Sequence, residues 1–529
     1  MPANVSEPVL IAGAGPVGLL TALLLARWDV PSVVLEAAPE QAGTGSRAIC
    51  FQRDVLDIFD RAGCAAPMIA EGVTWTTGRT YYRDAELFSV TFPEAGDGGL
   101  PPWINISQAS VERYLLERAV AEPLVELRFG QPVTGVSAGQ DGVAVRTGEG
   151  PGQAVVAGSH LVGADGARSA VRRLLGIGFP GHSYDDQFLI CDIRADLPFP
   201  SERRFFFDPA WNPGRQVLVH QCPDGVWRID WQVADGFDLG AERASGGLDA
   251  RVRQITGGRP YEIVWATAYR FHERVAETFG AGRVFLAGDA AHLYAPFGAR
   301  GLNSGAQDAE NLAWKLAFVL RGWAQAALLG SYDAERAAAA RENLRVTSTT
   351  MEFLVPQTPA LRRRRVEVLD RALTDPAART LIDSGKLAEP FWYTASPLTT
   401  PGPPLDGFPV AAGAARPPVP GVICPDGPCR ADGQDRRLRQ LFGGSFVLLT
   451  ESAATAAAAA HAARKTTNAP IDAYPLADID TAGVLRTALA ATADSVHVVR
   501  PDGHLAAVLP RFEPGAVRSA LARATGAPA

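Results

Sequence analysis

The period of hydrophobic positions changes several times along the chain, and each change predicts a change of element. Residues 9–26, VLIAGAGPVGLLTALLLA, are apolar almost throughout, but three glycines and Pro16 divide the run into a short strand and a helix that extends to about Trp28. The next apolar run, PSVVLEA, predicts a second strand ending at Glu36. Short unbroken apolar runs bounded by turn residues are the pattern of strands buried on both faces. HLVGADG and RVFLAGD have the same shape and end at Asp165 and Asp289, each beside a glycine. Helical patterns follow both, so strand and helix alternate as in an open, doubly wound α/β sheet.

Between residues 181 and 282 the period drops to two. FLICDIRADL, RRFFFDPAW, RQVLVHQC, VWRIDWQV and YEIVWATAYRF are short alternating runs rich in aromatic and β-branched residues. They predict a sheet with one face packed and one free. Phe207, Trp211, Trp231, Tyr269 and Phe271 supply aromatic surface, more of it core than lining, and Tyr184, Arg215, His220 and His272 are polar candidates for acid–base work. RTGEGPGQ at 146–153 lies between two strand-like runs with no helix after it, which predicts a hairpin turn. AWKLAFVLRG and LLGSYDAERAAAARENLRVTSTTMEFL predict helices, and a Pro-rich linker occupies 396–421. Beyond it a strand at 446–450, an Ala-rich helix, the hairpin VHVVRPDGHLAAVL and a last helix predict a small α/β unit.

Gly13, Gly15 and Gly18 have G-x-G-x-x-G spacing at the first strand-to-helix turn. The first glycine permits the tight turn, the second lets backbone amides approach a pyrophosphate, and the third lets strand and helix pack closely. The helix N-terminus then presents oriented donors to phosphate, and Glu36 is placed to accept from ribose hydroxyls. Asp165 and Asp289, at strand ends on the ligand side, are suited to sugar or polyol hydroxyls. In the 284–317 stretch, Ser304 and Gln307 have capping-box spacing, which predicts a helix starting there with its positive end aimed at the ligand.

Composition narrows the class. With 529 residues, 47% hydrophobic and 20% charged, the chain reads as a globular protein of two or three domains. A net charge of −7 gives no footprint for nucleic acid. The first basic residue, Arg27, lies beyond the N-terminal apolar stretch, so a signal peptide is not expected, and glycine and proline within it argue against a membrane span. The expected location is cytoplasmic. Six scattered cysteines show no metal-ligand spacing and read as free thiols, with a small loop disulfide between Cys424 and Cys429 as the alternative.

Taken together, GAGPVG with Glu36, SRAICFQRDVLDIFDRAG, ISQASVERYLLERA, GADGARSAVRRLLG and GDAAHLYAPFGARGLNSGAQDAENLAWKLA resemble the single-component FAD-dependent aromatic hydroxylases, the group A flavoprotein monooxygenases. FFFDPAWNPGRQVLVH and WRIDWQV are similar to the 3-(3-hydroxyphenyl)propionate hydroxylase branch, alongside phenol hydroxylase. The resemblance runs over about residues 9–350. It implies a Rossmann-like FAD-binding domain at 1–180 and 283–395, an inserted substrate-binding β-sheet domain at 181–282 with help from 76–97, and a thioredoxin-like C-terminal domain at 422–529. It also implies FAD, NADH or NADPH, O2 and a small aromatic substrate, with hydroxylation through a flavin C4a-hydroperoxide, in a monomer or homodimer. Epoxidation, Baeyer-Villiger insertion and, further off, a flavin dehydrogenase or reductase are the alternatives.

Residue by residue, the resemblance places Gly13, Gly15, Pro16, Val17 and Gly18 at the pyrophosphate, Glu36 at the adenosine ribose, and the backbone near Val133 at the adenine. Arg47 and Gln108 fall near phosphate and ribityl chain, Asp165 at FAD and the nicotinamide donor, and Asp289 at the ribityl chain. Pro296, Gly301, Leu302 and Asn303 lie in the loop under the isoalloxazine. Two departures stand out: Ala37 replaces a common basic residue, and Ala299–Arg300 replaces a common Gly–Gln, putting a charge beside the expected flavin pocket.

Overall fold

The computed structural model describes residues 7–41, 48–94, 99–148, 152–402, 405, 408 and 414–527. Its first layer is a six-stranded sheet in the order 280–281, 284–286, 160–163, 9–12, 32–35, 125–128. Val9–Ala12 is central, paired in parallel with His160–Gly163 and Ser32–Leu35, and all four of its residues are buried. An unbroken apolar strand is stable only in such a place, where layers cover both faces. Helices Pro16–Ala26 and Arg300–Leu320 pack on each other against this sheet. The meander Val133–Ala138, Val143–Thr147, Ala154–Gly158 adds Val143, Val145 and Val156 to the same core. The RTGEGPGQ cluster joins the last two of these antiparallel strands, as the hairpin reading expects; residues 149–151 are outside the described set.

The second layer is an eight-stranded sheet whose spine is two 15-residue strands, Gly181–Ala195 and Tyr261–Val275. Strands Thr77–Tyr82 and Ala85–Thr91 extend it beyond Arg203–Phe207. Alternation sorts its side chains. Val217, Val219, Ile229 and Trp231 pack outward with Leu248 and Val252 of helix Gly247–Thr256, while Phe188, Phe205, Phe207, Leu218 and Phe271 pack inward on Phe297. The expectation of one free face is therefore corrected: helices cover the outer face, and the 296–300 loop and helix Gly330–Leu354 cover the inner one.

The C-terminal unit has a four-stranded sheet in the order 471–475, 446–450, 496–499, 505–509. Helices Ala453–Arg464 and Pro514–Ala524 pack together beside it, the arrangement of a thioredoxin-like α/β domain. The described part of the Pro-rich segment is fastened down. Thr400 N donates to Ala506 O, and the Arg416 guanidinium donates to Asp54 at 2.9 and 2.8 Å. All six cysteines are free and buried, so Cys424 and Cys429 form no loop disulfide.

Candidate functional site

The three glycines differ in why a side chain is missing. Gly13 has φ of +103°, and a Cβ there would lie 2.5 Å from Ala164 O; one on Gly18 would collide with Gly13 O. Gly15 has φ of −72° and nothing within 4 Å of a built Cβ. Two glycines serve packing, and the third leaves open space over a helix N-terminus that has no side-chain cap. Pro16 sits at the first helical position, where its missing N–H costs nothing. Val17 faces Gly288 and Gly305, so its side chain locks this helix to the other loops of the site.

Glu36 closes the same corner. Ala14 N donates to its Oε2 at 2.7 Å and Ala38 N to its Oε1 at 2.8 Å, which fixes the carboxylate at the end of its strand. The segment leading to Val133 is tied here too, since Gln131 N donates to Glu36 O at 2.7 Å. Gln108 accepts from Ala48 N at 3.2 Å and donates to Glu112 at 2.7 Å. Arg47 itself lies outside the described residues.

Asp165 accepts from Ala170 N at 2.6 Å and Val171 N at 3.1 Å through Oδ2, holding the start of helix Ala170–Leu174. Its Oδ1 is buried without a partner among the described residues. Asp289 is half-buried in the turn Gly288–Ala290. That turn is anchored by Asp308, which accepts from Gly288 N at 2.9 Å, bonds the His292 imidazole at 2.7 Å and accepts from Arg336 Nε at 2.6 Å. The sequence reading missed this hub. Its signal was an acid one helical turn after Ser304, on a helix face that also carries Asn311 and Lys315.

Helix Arg300–Leu320 begins one turn earlier than the capping-box spacing predicts, after Ala299 in the left-handed region at φ 56°. Ser304 and Gln307 lie inside it, and no side chain caps its first turn. Ser304 Oγ instead accepts from Arg336 Nη2 at 3.0 Å, which consumes the group the cap needed. In the loop before and at the helix start, Pro296 is exposed, Leu302 half-buried, and a Cβ on Gly301 would meet nothing within 4 Å. The Asn303 amide accepts from Gln52 N and donates to Cys50 O at 2.9 Å, so its side chain staples this loop to the strand Cys50–Gln52. Arg300 turns into the protein. Its Nη1 donates to Lys386 O at 2.5 Å and Phe297 O at 3.3 Å, its Nε to Asn343 at 3.2 Å, and burial lowers its pKa to about 10.

Of the polar candidates on the second sheet, His220 lies with Nδ1 3.9 Å from Cys50 Sγ, in the strand that Asn303 staples. Burial and then the charges of Arg203 and Arg228 hold its pKa well below the ordinary histidine value. Tyr184 donates to Glu273 at 2.8 Å and is pushed up by burial and that carboxylate. His272 pairs with Ser183 Oγ at 2.7 Å on an exposed stretch, and Arg215 sits in the turn before Gln216. The structure also assembles Gln216, Arg228, Asp230 and Gln232 on the inner face, which the sequence reading left out. They alternate with Val217, Ile229 and Trp231, so period two already assigned them one face.

The open space over Gly15, the pinned Glu36, the orphaned Asp165 Oδ1 and two uncapped helix N-termini fit a dinucleotide such as FAD. Comparison with known proteins agrees. A family model described as an FAD binding domain matches residues 6–347, and one described as the C-terminal domain of aromatic-ring hydroxylases matches 417–528. The chain is 32% identical to 3-(3-hydroxy-phenyl)propionate/3-hydroxycinnamic acid hydroxylase of Paraburkholderia xenovorans, over 67% of this chain and 56% of that protein's length. It is 30% identical to a second such hydroxylase, from Burkholderia vietnamiensis, over 83% and 78%, and 35% identical to dialkyldecalin synthase of Streptomyces rugosporus, over 66% and 74%. In fold it matches the flavin-dependent monooxygenase PieE with a TM-score of 0.84 at 24% identity, covering 99% of both chains. No described helix is long and apolar enough to cross a membrane. The chain belongs to the family of FAD-binding-domain flavoproteins that carry an aromatic-ring hydroxylase C-terminal domain, with the 3-(3-hydroxyphenyl)propionate hydroxylases among its members.

Proposed function

We propose that the protein is an FAD-dependent monooxygenase that takes reducing equivalents from NADH or NADPH and places one atom of O2 on an aromatic, phenolic or polyketide-like substrate, the other atom leaving as water. The observation that carries this reading is where the two layers meet. Phe297, in the loop at the head of the uncapped helix, packs at 5.2 Å from Phe188 and 5.9 Å from Phe271 of the second sheet. A flat ring bound at the edge of this seam meets an aromatic wall beside the loop. FAD, when bound, supplies the redox chemistry.

The residues present have distinct parts in this reading. The amides over Gly15 and the head of helix Pro16–Ala26 hold the pyrophosphate, and Glu36 accepts from the adenosine ribose. Asp289 accepts from the ribityl hydroxyls on a turn that Asp308 keeps rigid. The head of helix Arg300–Leu320 favours negative charge at the adjoining edge of the ring system. With six unpaired cysteines, the enzyme works in the reducing cytoplasm as a monomer or homodimer.

The test is to purify the protein, measure bound FAD by absorbance, and screen phenols for those that accelerate NAD(P)H oxidation, with mass analysis for a gain of one oxygen. A protein that holds FAD yet yields no oxygenated product with any phenol would overturn the proposal. The relative named as a dialkyldecalin synthase favours a second reading, formation of a decalin ring system in place of oxygen transfer. It differs in outcome: the product gains no oxygen atom.

A further inference from the structure

The inner face of the second sheet carries a group of buried polar atoms that no group among the described residues satisfies. Gln216 is 1% exposed, and neither its Nε2 nor its Oε1 has a hydrogen-bond partner among the described residues. Gln232 Oε1 and Asp230 Oδ1 are buried and unpartnered as well. Each such atom costs about 1–3 kcal/mol unless something pairs with it. Four in one place therefore mark a site whose partner comes from outside the chain.

Register puts them together on the inner face, the one that packs on Phe297 of the flavin-side loop. Asp230 lies directly opposite Leu218 on one neighbouring strand and Ile190 on the other, and Leu218 in turn faces Phe205. Phe205 and Phe188 pack on Phe297 of the flavin-side loop. Gln232 follows Asp230 on the same face, and Gln216 precedes Leu218 by two residues on the adjacent strand.

The nearby charges are arranged unequally. Arg228 gives both arms to Asp192, at 2.7 and 2.7 Å, so its charge is already matched. Asp230 is left as the second acid beside one arginine, with burial as the main influence, Arg228 opposing it and Asp192 adding to it; its pKa rises to about 7. Further along the same rows stand His220, kept neutral, and Arg203, which donates to Ser384 O.

We propose that Gln216, Asp230 and Gln232 form the polar end of the substrate pocket, where Asp230 takes the proton of a ring hydroxyl, Gln216 holds a neighbouring oxygen, and the Gln232 carbonyl, whose amide nitrogen donates to Asp186 at 3.4 Å, accepts from a further hydroxyl of an uncharged, oxygen-rich aromatic. The inference rests on the monooxygenase reading above and adds the group that activates the ring. In the step, the phenolic O–H bond breaks, its electron pair stays on oxygen, and the proton adds to the Asp230 carboxylate. The negative charge moves from carboxylate to phenolate, and the ring becomes a better target for electrophilic oxygen. A base whose pKa lies near the working pH is suited to this transfer. A substrate with its own carboxylate is disfavoured, since Asp230 repels it once ionised and Arg228 is engaged.

The probe is emodin, an uncharged hydroxyanthraquinone whose colour reports ionisation, added to the oxidised FAD-loaded enzyme without reductant. In the wild type, phenolate absorption of bound emodin rises as pH passes about 7, and in Asp230→Asn the rise moves up by at least about one pH unit. Gln216→Leu weakens emodin binding about tenfold. 3-(3-Hydroxyphenyl)propionate binds at least about tenfold more weakly than emodin above that pH, and Asp230→Asn narrows the gap. Equal emodin titrations in wild type and Asp230→Asn, or no emodin binding by the wild type, overturn the proposal even where FAD is bound and reduced by NAD(P)H. If Asp230→Asn loses FAD, Gln216→Leu decides: unchanged affinity overturns it. A protein that binds no FAD removes both this proposal and the reading beneath it.

Discussion

Glu335 and Arg500, 165 residues apart in the chain, meet in a fully buried pair in which Arg500 donates to both carboxylate oxygens of Glu335, at 2.5 and 3.0 Å. Glu335 belongs to the helix that backs the flavin-side loops, and Arg500 to the C-terminal domain. Lys315 adds a third bond to Glu335 at 2.7 Å, and Asp502 pairs with Arg500. The C-terminal domain is therefore locked to the FAD-binding domain by charges that have no water to fall back on.

Removing one partner from such a pair leaves an uncompensated buried charge and costs about 3–5 kcal/mol. Arg500→Met is expected to lose stability of that order in chemical denaturation and to expose the junction to proteolysis. A change under about 1 kcal/mol would show that the network is not coupled to folding. The pH dependence has a definite sign. Burial opposes the charged form, but Arg500 and Lys315 outweigh it and hold the Glu335 carboxyl well below the usual range. Its contribution is fully present above about pH 4 and is lost as pH falls through the folded value. Arg500→Met should flatten the acid limb of the stability profile.

Gly15 and Gly18 make separable predictions. Gly15 has an ordinary φ and free space, so Gly15→Ala should leave the melting temperature of the apoprotein unchanged and weaken FAD binding about tenfold or more. A Cβ on Gly18 collides with Gly13 O and must shift backbone, so Gly18→Ala should lower both stability and FAD content. Equal FAD affinity in wild type and Gly15→Ala, by flavin fluorescence titration, would move the pyrophosphate away from this turn.

Arg300 braces the flavin-side loop from behind. Arg300→Gln shortens the side chain and leaves the Lys386 and Phe297 carbonyls without their donor, a loss of about 2–4 kcal/mol in stability. The expected companion effect is looser FAD, seen as faster flavin loss on dilution. If stability is unchanged while turnover falls, Arg300 acts in the chemistry instead.

These cases show what the sequence made legible. Gly13, Gly18 and the strand Val9–Ala12 were readable because a close backbone approach and a doubly buried strand each demand particular residues at fixed local spacing. The start of the helix at Arg300 was not. Ser304 has the right spacing for a cap, but its hydroxyl is claimed by Arg336, 32 residues away, and no local pattern records that. The same holds for Glu335 and Arg500, which look like surface charges on an Ala-rich helix and a hairpin until the domains dock. Asp230 lies between: alternation gives its face, yet only the pairing of Arg228 with Asp192 leaves it as the unmatched acid.

Asp308 offers the sharpest test of how the cofactor loops are held. Its carboxylate has no exposure and receives Gly288 N, the His292 imidazole and Arg336, joining the turn that carries Asp289 to two helices. Asp308→Asn keeps the shape but removes the charge that Arg336 and the Gly288 amide rely on. A cost of about 3–5 kcal/mol is expected, with FAD affinity reduced because the Gly288–Ala290 turn is freed. Burial raises the Asp308 pKa, but Arg336 and His292 more than offset it and set it below the ordinary aspartate value, so its support is complete above about pH 4 and declines as pH falls through the folded value. Wild-type holoenzyme should therefore release FAD on acidification, and Asp308→Asn should release it with a weaker dependence on pH. Flavin fluorescence during an acid titration reads both, and identical curves for the two proteins would remove Asp308 from any role in cofactor retention.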